Sequence, residues 1–118
     1  MKIFRFDREV GKTIFQYNSA GFLISRVVEL FGEAVVNCAY LEAKGVIGFH
    51  QAADAQLFLV VQGEGWVSGA SREKIPIKTS QAAFWEKGEF HESGTDVGMI
   101  GIIIEGTDLD PAKRMPPV

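Results

Sequence analysis

The chain has two histidines, His50 and His91, and each sits in a stretch whose residue types could do chemistry. His50 ends the run GVIGFH that starts at Gly45, and Gln56 follows it at the head of the apolar segment QLFLVVQ. His91 lies in EKGEFHESG, just downstream of Gly88. A neutral imidazole offers one donor and one acceptor nitrogen, and a carboxamide offers both functions as well. His50, Gln56 and His91 are expected to converge inside a small β-barrel, where they would hold a small-molecule ligand. The nearby acids are Asp54, Glu86, Glu89 and Glu92. Glu89 is two residues before His91 and shares its face if the backbone is extended. With Lys87 among them, Glu86, Glu89 and Glu92 read as the solvated rim of a turn. In a catalytic site, Glu89 or Glu86 would be the group that moves a proton. Phe58, Phe84, Trp85, Glu89 and Met99 are expected to line the pocket, with Phe49 and Phe90 beside them. Plain core packing is the competing role for most of these aromatics. No second catalytic set is visible: Cys38 has no histidine near it in sequence, and no serine sits on a nucleophile elbow.

Such side chains need rigid elements to aim them. Short apolar runs alternate with Gly, Asp, Asn and Ser, and few stretches show a helical period. The expected strands are 2–6, 12–17, 21–29, 34–41, 46–50, 56–62, 65–68, 73–78, 81–86 and 98–105. Gly63-Glu64-Gly65 reads as a hairpin and Ser68-Gly69-Ala70-Ser71 as the next turn. In 56–62, Gln56, Phe58, Val60 and Gln62 share one face and Leu57, Leu59 and Val61 the other. Both faces are mostly apolar, so the strand is expected to be buried on both sides. Met99, Gly101 and Ile103 alternate with Ile100, Ile102 and Ile104 to the same effect. The fold class is therefore all-β, a sandwich or barrel of short antiparallel strands. After 105 the composition turns to Asp, Pro and Lys, so the sheet should end there. One helical turn fits Pro111–Arg114, with Asp110 as its N-cap.

Around the histidines the chain resembles the cupin family, small antiparallel jelly-roll barrels (double-stranded β-helices) that carry two sequence motifs. Gly45, His50, Gln56 and Gly63 follow the spacing of the first motif apart from a gap between Gly45 and His50 that is one residue short, with Ala52 in place of its second histidine and Gln56 in place of its glutamate. Gly88 and His91 follow the second, with Glu86 in place of its proline, Ser80 in place of an upstream glycine and Thr95 in place of its asparagine. The resemblance implies a single domain over 1–118, with the barrel at about 21–105 and a tail over 106–118. Metal-binding cupins hold one divalent ion with three histidines and a glutamate. Carried over position by position, that leaves His50, Gln56 and His91 as a ligand set for Zn, Fe, Mn or Ni. The set carries no negative charge, so it implies a weakly held ion, or no cofactor at all. Three functions follow: a small-molecule-binding protein, which the missing ligands favour; a metal-dependent enzyme of the isomerase or oxygenase type; and a non-catalytic dimeric sensor or interaction module.

Composition narrows the partners. The 118 residues are 47% hydrophobic and 23% charged, enough for one core and too apolar for a disordered chain. A net charge of −3 with scattered basic residues leaves nothing to neutralise a row of phosphates, so nucleic acid is not an expected partner. No run approaches membrane-span length and the N-terminus lacks a signal-peptide core, so a cytoplasmic protein without membrane contact is expected. Cys38, in VVNCAYL, is expected to be a small buried residue. Ile3, Phe4 and Phe6, with the segment Thr13–Tyr17, are expected to meet a partner's sheet in a homodimer.

Overall fold

The computed structural model describes residues 1–118. Its strands are β1 (Lys2–Arg5), β2 (Lys12–Thr13), β3 (Leu23–Ile24), β4 (Ala34–Leu41), β5 (Val46–Gln51), β6 (Ala55–Ser68), β7 (Ile75–Lys78), β8 (Gln81–Trp85), β9 (Phe90–Gly94) and β10 (Met99–Gly106). One layer runs β1-β8-β6-β10-β4, antiparallel throughout. The other runs β5-β9-β6-β7, built on the second half of β6. The all-β antiparallel fold expected from the alternating pattern, and the jelly roll that the cupin resemblance implies, are the observed architecture.

β6 organises both layers, and it corrects one expectation. Gly63-Glu64-Gly65 is not a hairpin: the strand continues through it from one layer into the other. Gly63 pairs with Met99 of β10, whereas Glu64 already pairs with Lys78 of β7. The glycines are needed because backbones close in at this corner. Gly63 has φ +83°, and a Cβ there would collide with the Gly98 carbonyl oxygen, as one on Gly65 would with that of Gly94.

Alternation along β6 divides the core as its sequence demands. Leu57 and Leu59 pack with Phe4, Ala82, Phe84, Ile104 and Met115 on the outer face of the first layer. Phe58 and Val60 pack with Val67, Ile77, Ala83, Trp85 and Met99 between the layers. Full burial of each large side chain stabilises the fold by roughly 1.5–3 kcal/mol over leaving it exposed. At Val61 the register slips by one residue against β10, and that side chain turns out to 45% exposure.

Elsewhere tertiary context overrides the local pattern. The expected strands 12–17 and 21–29 shrink to the two-residue pair β2–β3. Neither side of this ribbon is covered well enough to support a longer ladder, and Tyr17 and Asn18 at its tip take φ of 61° and 58°. β9 is a strand that the polar sequence FHESG does not announce; pairing on both sides, with β5 and β6, makes it one. Cys38 is exposed rather than buried, because β4 is an edge strand. Ile3, Phe4 and Phe6 do not wait for a partner. β1 pairs with β8, Phe4 is buried, and Phe6 packs against the outer-face cluster. The last residues return along β1: the Arg5 N–H donates to the Pro116 carbonyl, and the Val118 N–H to that of Ile3. Pro111 does open a 3-10 turn, Pro111–Lys113, but the Asp110 side chain makes no capping hydrogen bond. No helix is long and apolar enough to cross a membrane.

Candidate functional site

The two histidines meet. β5 and β9 pair with His50 directly opposite His91, and the ring centroids are 4.4 Å apart. A register shift between Ile47 and His50 re-aims the end of β5. Trp85 lies beneath, its ring centroid 4.5 Å from that of His91, and its Nε1–H donates to the Ser68 carbonyl at 3.1 Å. His91 is 2% exposed and His50 is exposed, so His91 and Trp85 form the floor and His50 the mouth.

The hydrogen bonds fix what each group can offer. His50 Nδ1 is 2.7 Å from the Gly48 carbonyl, which can only accept. Nδ1 therefore carries the proton, and in the neutral ring Nε2 keeps a free lone pair. His91 Nε2 is buried without any hydrogen-bond partner. Burial first, and then the neighbouring His50, push the His91 pKa down to about 4, against the opposing pull of Glu105 and Glu89. His91 is thus neutral at pH 7, and leaving its ring nitrogen unpaired costs about 1–3 kcal/mol.

Gln56 faces this end of the barrel, opposite Trp85 on one side and Glu105 on the other. Its Nε2 donates to Glu105 Oε1 at 2.8 Å. A carboxylate only accepts, so the amide is held with Oε1 turned away from Glu105 as a free acceptor. Glu105 is the site residue that the motifs miss. Its signal was alternation: it continues the face of Gly101 and Ile103 at the end of an apolar strand.

The other acids separate by face. Glu89 stays near His91, but its carboxylate accepts from the Met1 ammonium at 3.0 Å and from the Glu86 N–H at 3.1 Å. Burial works to raise its pKa, and these two contacts outweigh burial and hold it below the usual range. Glu86 points to the outer face, beside Lys2, Phe4 and Phe84. Glu92 pairs with Arg72 at 3.7 Å. Among the expected pocket residues, Phe58, Trp85 and Met99 pack together between the layers. Phe84 does not join them: it neighbours Trp85 in β8, so it points the other way, into the outer cluster. Phe49 and Phe90 likewise turn away from the histidines and stack on each other, with Arg72 over the Phe49 ring.

The donor set does not fit a tightly held dication. No three His, Cys, Asp or Glu side chains are arranged to hold a metal ion. Ala52 is buried and offers nothing, and the Glu105 carboxylate, held by Gln56, does not form a ligand group with the two histidines, which leaves two imidazoles and one amide oxygen. Catalytic zinc generally takes three His, Cys or carboxylate ligands, and two-histidine iron sites add a carboxylate. The larger cavities, 460 Å³ beside Arg5 and Gln81 and 420 Å³ beside Trp66 and Lys74, contain neither histidine.

No family model matches the chain, and no curated protein does. Solved structures do resemble it. A cupin superfamily protein from Desulfitobacterium hafniense is 12% identical with a TM-score of 0.60, over 76% of this chain and 82% of that one. An RmlC-like cupin from Shewanella frigidimarina is 16% identical with a TM-score of 0.60, over 67% and 70%. A predicted oxalate decarboxylase from Thermotoga maritima is 17% identical with a TM-score of 0.58, over 63% of this chain and 66%, just under two thirds, of that one. At such identities the likeness concerns the fold, and the fold of this chain is the cupin jelly roll.

Proposed function

We propose that this cupin-fold chain binds a small organic molecule, rich in hydrogen-bond donors, where His50 and His91 meet. The observation that carries the proposal is the buried His91 Nε2, which has no partner within the protein. His50 Nε2 and Gln56 Oε1 are acceptors at the same end, and His91 Nε2 accepts or donates according to its tautomer. Glu105 makes no ion pair, so its charge favours a hydroxyl- or ammonium-bearing ligand over an anion. Trp85 supplies an aromatic floor, and Phe58, Val60 and Met99 fill the barrel around it, so the ligand must be small. A divalent ion, if held at all, would be held weakly by the two imidazoles.

The test is a thermal-shift screen of the purified chain with sugars, amino alcohols, diamines and the chlorides of zinc, manganese and nickel. A polyol or amine should raise the melting temperature by a few degrees and perturb tryptophan fluorescence, and His91→Ala should abolish both effects. Elemental analysis of protein purified without added metal should find less than one ion per chain. A stoichiometric, tightly bound metal together with no organic binder would overturn the proposal in favour of a metal-dependent enzyme.

A further inference from the structure

We infer that two copies of this chain pair edge to edge through β4, continuing the first layer across a two-fold axis. Every other edge of the barrel is blunted. β1 is covered by the returning residues Pro116–Val118. β7 is four residues long and contains Pro76. β5 is interrupted by its register shift. β4 alone is long and regular, pairing residue by residue with β10 from Ala34 to Leu41 and with nothing on its other side. It carries no charge and no proline, and Val35, Val36 and Tyr40 are 59%, 56% and 75% exposed. A monomer would leave this edge open to any strand, which natural sheets avoid.

A second copy fits the edge in a definite register. A two-fold axis perpendicular to the sheet keeps each side chain on its own face, so opposed residues must be an even number of positions apart. Placing Cys38 opposite Cys38 sets Val36 against Tyr40 of the second copy, a β-branched–aromatic pair on one face. The flanking acids Glu33 and Glu42 then fall opposite Ala43 and Ala34, so no like charges meet. The contact is then the β4 edge itself, with its main-chain ladder and the exposed Val35, Val36 and Tyr40 side chains.

The test is sedimentation equilibrium on the full chain at micromolar concentration. A particle of twice 13.0 kDa is expected. Cys38→Lys sets two like charges opposite each other at an exposed position, and should weaken the dimer about tenfold or more. Circular dichroism should show that the variant keeps its fold, and Val36→Lys is the second variant if it does not. Diamide should convert the parent into a Cys38-linked dimer, since directly opposed antiparallel residues lie within disulfide reach. A 13.0 kDa parent, or lysine variants that dimerise as tightly as the parent, would overturn the inference. A dimer that diamide does not link would overturn the register.

Discussion

His91 has two properties that burial imposes together: a ring nitrogen without a partner and a pKa of about 4. The second has a measurable consequence for stability. In the unfolded chain the imidazole takes up its proton near pH 6.5, whereas in the folded chain it stays neutral until about pH 4. Above pH 6.5 neither state is protonated and the group has no effect on the slope. Between the two values the unfolded state binds more protons, so stability should fall as the pH drops, by about 2–3 kcal/mol in all. Urea midpoints measured across that window check this, and His91→Gln should flatten the fall. A parent whose midpoint does not change there would mean that His91 is more open to water than the structure places it. At the same scale Gln56 shows why a motif position is not yet a role. It occupies the expected place, but Glu105 takes its amide hydrogen and decides which atom faces the site.

The elements place these residues, and β6 matters most because both layers are built on it. Its passage from one to the other depends on Gly63, which combines a positive φ with the close approach of Gly98. Gly63→Ala should cost about 3 kcal/mol, from the left-handed conformation and the displaced backbone together. Gly48→Ala on β5 is the control. A Cβ there meets nothing within 4 Å, so the change should be close to neutral. Chemical denaturation of the pair separates a true corner from a general glycine effect; equal losses would remove the special role given to Gly63.

For the whole molecule, the two chain ends act as one structural unit. Phe4 and Met115 are both buried in the outer-face cluster, and backbone hydrogen bonds tie Arg5 to Pro116 and Ile3 to Val118. Deleting Met115–Val118 removes a buried methionine and uncovers the β1 edge. The truncated chain should lose about 3 kcal/mol or more and become prone to association. Equilibrium unfolding and light scattering would show it, while deletion of Val118 alone should cost much less. An undiminished midpoint after the longer deletion would mean that the segment is ornamental to the barrel.

Period-two alternation was enough to assign Leu57, Leu59 and Phe58, Val60 to opposite faces, because an apolar strand between two layers can satisfy both only in that way. The resemblance of Gly45, His50, Gly88 and His91 to the two cupin motifs likewise implied two histidines in one barrel. Non-local pairing decided the rest. Nothing in FHESG marks a strand, yet β9 is one because β5 and β6 flank it. Nothing in Gly-Glu-Gly distinguishes a reversal from a corner; the positions of Gly94 and Gly98 do. Phe84 and Trp85 are equally apolar in sequence, and only the packing of β8 sends one to the outer cluster and the other beneath His91. Glu105 joins the site from the far end of the chain, by way of a strand register that composition cannot specify. Residue types and local periods are written in the chain, whereas the distance between two side chains far apart in sequence exists only once the sheets have closed.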